Sequence, residues 1–166
     1  FKINSLAELL CPKDGKQRVK TLVQLAINQT EAGIKDKSKY QSSDVTDLDR
    51  IAELSQSYSP ESFGDVVELY LVVWGKLQKD PVLTKNFLDS GLMQTELLPV
   101  ERQKDIKTRI ADGYVVLAKE VSGTAKRDAY LMLQTARGLY FDSGIDKEDR
   151  RIKGIDTFIH SNFGNK

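Results

Sequence analysis

Apolar residues recur at the i, i+3, i+4, i+7 spacing in segment after segment of this chain, and no run of alternating β-branched residues competes with them. That period places one apolar stripe on each helix and leaves no pattern for a sheet. A chain of 166 residues is long enough to bury about two-thirds of the surface that it exposes when unfolded. The expected fold is therefore all-α: a single-domain bundle over residues 1–166, with six to seven helices and a central hydrophobic helix near 60–79.

Punctuation along the chain sets the expected helices. A turn at Cys11-Pro12-Lys13-Asp14-Gly15 precedes a long helix marked by Val19, Leu22, Val23, Ala26, Ile27 and Ile34, with Gly33 at its C-terminal cap. Asp44 reads as the N-cap of a second helix carrying Val45, Leu48, Ile51, Ala52 and Leu54, ended by residues 55–59. Ser59, Pro60 and Glu61 form a cap, a first-turn proline and a first-turn acid, the pattern that suits the orphan amides and positive end of a helix. The helix they start is apolar almost all round through Phe63, Val66, Val67, Leu69, Tyr70, Leu71, Val72, Val73 and Trp74, which makes it central and Trp74 a buried residue.

Asp80-Pro81 repeats the signal for a short helix stopped near Gly91. A helix from Pro99 to Val121 follows, and Thr124 caps the next, whose Ala129, Tyr130, Met132, Leu133, Ala136, Leu139 and Tyr140 make it a second helix expected to be buried. Asp146 is the expected N-cap of the last helix, whose stripe is Ile152, Ile155, Ile159 and Phe163.

Charge is segregated behind a formal net charge of +1. Residues 1–43 hold eight Lys/Arg against four Asp/Glu, residues 44–101 four against eleven, and residues 102–166 thirteen against nine. An acidic middle between basic flanks either neutralises within the fold or offers a surface to a charged partner. The longest apolar stretch, 66–74, is broken by Glu68 and far shorter than the roughly 20 residues that a bilayer needs, so no membrane span is expected. One cysteine cannot form an internal disulfide, and the chain starts at Phe1 rather than methionine, which reads as either a processed or a trimmed chain. Cytoplasm is the default compartment.

Residues that do chemistry are scarce. His160 has no partner histidine or cysteine at ligand spacing, and Cys11 reads as a small apolar filler. Asp44, Asp47 and Asp49 are carboxylates of the kind that hard cations prefer, but no calcium-loop spacing surrounds them, and acids at a helix start are explained by capping. No phosphate loop, nucleophile elbow or Glu-x-x-His pair occurs. No catalytic residue, metal or cofactor is expected.

The expected function is that of a non-catalytic protein-protein interaction or assembly module, with a protein partner or self-association. Tyr58, Tyr114, Tyr130, Tyr140 and Arg137 are the anchor residues, because aromatic and arginine side chains carry much interface energy. The alternative is a nucleic-acid accessory protein using the basic and aromatic residues of 124–162, Lys126, Tyr130, Arg137, Tyr140, Arg150 and Arg151 among them, to neutralise phosphates and stack on bases. A small-molecule enzyme is the third reading.

Overall fold

The computed structural model describes residues 42–75 and 80–164, together with helical positions at Thr21, Gln24, Leu25 and Asn28. The turn at 11–15 and most of the helix expected over 19–34 lie outside the described residues. Among those described there are six helices and no strand: α1 (Ser42–Tyr58), α2 (Pro60–Trp74), α3 (Pro81–Thr95), α4 (Val100–Val121), α5 (Lys126–Asp142) and α6 (Arg150–Phe163). No helix among the described residues is long and apolar enough to cross a membrane. The chain divides into two compact units, residues 1–98 and 99–166.

In the first unit α2 packs against both α1 and α3. Phe63, Val66, Val67, Leu69, Tyr70, Leu71 and Val73 of α2 are all buried, which fulfils the expectation of a central hydrophobic helix. Pro60 opens it as expected, while the Ser59 hydroxyl pairs with the Ser62 hydroxyl at 3.0 Å instead of capping a backbone amide. The helix ends at Trp74. Trp74 is only half-buried, because it occupies that last position beside an exposed Gly75, and Tyr70, one turn earlier, holds the fully buried aromatic position instead.

Two boundaries differ from the pattern reading for identifiable reasons. α1 runs through Ser55 to Tyr58, because the Ser55 hydroxyl donates to the Ala52 carbonyl at 2.9 Å within the helix and so satisfies itself while buried. α3 starts where Asp80 accepts from the Leu83 amide at 3.0 Å, but continues past Gly91 to Thr95. Gly91 is not a terminator there. It is where α3 meets α2, since a Cβ at this position would lie 2.9 Å from Tyr70 Cβ.

In the second unit α4 and α6 each pack on α5. Ile106, Ile110, Tyr114 and Leu117 of α4, Met132, Leu133, Leu139 and Tyr140 of α5, and Ile152 and Ile155 of α6 form its core. Ile159 and Phe163 are half-buried rather than inside. Thr124 does not cap α5, because its hydroxyl donates back to the Val121 carbonyl at 3.3 Å. α6 is capped by Asp149, which accepts from the Arg151 amide at 2.8 Å, while Asp146 closes its own turn on the Glu148 amide. α5 is amphipathic rather than enclosed: Tyr130, Leu131, Gln134, Thr135, Gly138 and Phe141 are exposed. Of the apolar residues that the pattern names for it, Tyr130 alone stands on the exposed side.

Candidate functional sites on the second unit

Two features of α4 to α6 remain after the core is accounted for: a cleft and an exposed helix face. The cleft, about 260 Å³, is lined from α4 by Asp112, Val115, Val116 and Lys119, from α5 by Tyr140, and from α6 by Arg150, Arg151, Gly154 and Ile155. Its polar side is built around Tyr140. The Tyr140 hydroxyl donates to Asp112 Oδ1 at 2.5 Å, and the Arg151 guanidinium lies over the Tyr140 ring at 5.4 Å from its centroid. Arg151 is fixed in turn by Asp149, with Nε to Oδ1 at 3.0 Å and Nη2 to Oδ2 at 3.1 Å. A bidentate fork of this kind holds the planar guanidinium in one orientation.

Protonation follows from these contacts. Burial, then the hydrogen bond to Asp112 and the charge of that carboxylate, push the Tyr140 phenol well above its ordinary range. Hydrogen bonds from the Arg151 side chain, then from its backbone amide, pull Asp149 down to about 2. The first unit repeats the tyrosine arrangement: Tyr70 donates to Asp49 Oδ1 at 2.7 Å, Ser90 donates to the other oxygen at 3.3 Å, and burial followed by that hydrogen bond raises Tyr70 strongly.

Asp49 is thus engaged by two hydroxyls. No group of three or more metal-ligating side chains exists among the described residues. No local pattern in the sequence signals the pairing of Asp49 with Tyr70, or of Asp112 with Tyr140, since the partners stand 21 and 28 residues apart on different helices.

The raised tyrosines give a pH prediction. A phenol whose folded value exceeds its unfolded value of about 10 keeps its proton in the folded state after the unfolded chain has lost it. Its contribution to stability is intact below about pH 10 and lost as pH rises above that. Spectrophotometric titration of the native protein should show Tyr70 and Tyr140 resisting ionisation, and Tyr70→Phe and Tyr140→Phe should each remove one resistant phenol. A single transition of all six near pH 10 sinks the assignment.

The exposed face belongs to α5. Leu131 is 52% exposed, Phe141 41% and Tyr130 39%. At 100° per residue, Tyr130, Gln134, Phe141, Arg127, Gly138 and Leu131 fall on one side of the helix. Two of these side chains are held from below. Tyr130 meets the Phe163 ring edge-on at 5.8 Å, and the Arg137 guanidinium lies 5.2 Å from the Phe141 ring centroid. Arg137 also places Nε 3.1 Å from Asp156 Oδ1, an ion pair whose alignment falls short of a hydrogen bond. Gly138 leaves open space where a side chain would stand.

The structure separates the expected anchors. Tyr114 and Tyr140 are buried, at 3% and 2% exposure, and belong to the core of the second unit. Tyr58 is half-buried at the end of α1 in the first unit. Tyr130 and Lys126 are exposed on α5, and Arg150 is exposed at the start of α6. Of the basic residues in the nucleic-acid reading, Arg137 and Arg151 face Asp156 and Asp149, and Lys153 pairs with Glu148. His160 lies exposed in the last turn of α6. Comparison with protein-family models, with curated proteins and with solved structures finds no match.

Proposed function

We propose that this chain is a non-catalytic interaction module whose second unit binds a protein partner through the solvent face of α5. The observation that carries the reading is the exposure of Tyr130, Leu131 and Phe141 together on one helix side. Aromatic residues with arginine beside them are enriched where interfaces concentrate their energy. Preorganisation supports it further: Phe163 and Arg137 hold Tyr130 and Phe141 in place, so less side-chain entropy is lost on docking. Gly138, on the same side of the helix, adds no side chain between Leu131 and Phe141. Lys126 and Arg127, exposed at the start of the helix, favour a partner segment with acidic residues at one end of its apolar stripe.

Leu131→Asp tests this without touching the core, because Leu131 is more than half in water already. With the full chain immobilised, the wild type should retain a partner at raised salt and the variant should bind it about 30-fold more weakly, the effect of losing one interface hot spot. Equal retention by wild type and variant removes the α5 face from the function.

A further inference from the structure

The cleft between α4 and α6 stands apart from the exposed face of α5, and its walls differ in chemistry from that face. We propose that it is a binding site for a small organic monocarboxylate, with the carboxylate against Arg150 and Lys119 and a short apolar body against Val116 and Ile155. Charge selects the anion. Three cations, Lys119, Arg150 and Arg151, meet Asp112 in the lining, and Asp149 sits behind Arg151.

The excess is one positive charge, which matches a monoanion and leaves a dianion under-neutralised. The individual cations have distinct parts. Arg151 is spent on its fork with Asp149 and its stacking on Tyr140, so it supplies charge and a rigid wall. Arg150 has no ion pair among the described residues and keeps its planar donors for a carboxylate. Lys119 holds its ammonium 5.8 Å from the Phe158 ring centroid, a contact that orients it while leaving all three N–H groups unspent.

Size and shape select the rest of the ligand. At about 260 Å³ the cleft lies below the roughly 300–1,000 Å³ of sites for drug-sized molecules, so it takes a body of a few carbons. Gly154 keeps it open. A Cβ there would meet nothing within 4 Å, although glycine inside a helix costs about 1 kcal/mol against alanine, so the missing side chain leaves room in the lining that no packing contact requires. Asp112, the one acid in the lining, accepts the Tyr140 hydroxyl through Oδ1.

The test is titration calorimetry of the full chain with hexanoate, with hexanamide as neutral isostere and with inorganic phosphate. Hexanoate should saturate with a Kd near ~1 mM, as befits so few atoms, and hexanamide and phosphate should each bind at least about tenfold more weakly. Arg150→Ala should weaken hexanoate about tenfold, and Gly154→Leu, which fills the lining from an exposed helix position, should abolish binding while the denaturation midpoint is kept or raised. Leu131→Asp should leave hexanoate affinity unchanged, so failure of the interaction face and failure of the cleft are read separately. Equal binding of acid and amide, tighter binding of phosphate, hexanoate binding that survives Gly154→Leu, or no saturation at all overturns the proposal.

Discussion

Tyr70→Ala should cost this protein about 3–5 kcal/mol, the range for truncating a large buried aromatic residue. Tyr70 is at 0% exposure one turn before the end of α2, with its ring meeting Phe87 of α3 edge-on at 6.5 Å between centroids. Removing it opens a cavity between packed helices and leaves Asp49 with Ser90 as its remaining hydroxyl donor. Tyr70→Phe separates these effects: it keeps the ring and deletes the hydroxyl, so it should cost about 1–3 kcal/mol, as for a half-buried acceptor losing one partner.

Trp74→Ala is the informative contrast. Sequence pattern alone assigns it the same 3–5 kcal/mol, but Trp74 is half-buried at the last position of α2, and its loss should be clearly smaller than that of Tyr70. Denaturant midpoints of the three variants decide the matter. A larger loss for Trp74→Ala than for Tyr70→Ala would mean that the last residue of α2, and not Tyr70, fills the aromatic position in the core.

Signals in the sequence are legible where the physics is local. Pro60 and the Asp80-Pro81 pair start helices because a missing amide and a side-chain acceptor act within one turn, and the apolar period names most of the core because burial follows it. What stayed hidden is which helix lies against which. Gly91 carries the local signature of a stop, yet it sits inside α3 because α2 passes close to it. Asp49 and Asp112 resemble ordinary exposed helix acids until Tyr70 and Tyr140 are brought across from the neighbouring helix. The site was half legible for the same reason. Arg150, Arg151 and Tyr140 read in the sequence as residues of a macromolecular surface, and nothing in their spacing shows that Asp149 immobilises one, that Asp112 holds another, or that Val116 and Ile155 line the same cleft.

Gly91→Ala should destabilise the protein although alanine is the better helix former. Within a helix free of neighbours the exchange gains about 1 kcal/mol, because glycine gives up more backbone entropy on folding. At Gly91 the new Cβ would stand 2.9 Å from Tyr70 Cβ and 3.4 Å from Tyr70 Cγ. Tyr70 Cβ is fixed to the α2 backbone, and no side-chain rotation carries it away, so relief of the 2.9 Å contact requires α2 and α3 to move apart. Thr95 stiffens the site further by donating its hydroxyl to the Gly91 carbonyl at 2.7 Å. Overpacking of a close helix contact typically costs about 1–3 kcal/mol, which outweighs the gain in propensity.

Gly138→Ala is the control, since a Cβ there meets nothing within 4 Å and the same exchange should stabilise by up to about 1 kcal/mol. Opposite shifts of the two denaturant midpoints would establish that Gly91 is present for the approach of two helices rather than for the end of one. Stabilisation by both substitutions would show that α2 and α3 do not come this close.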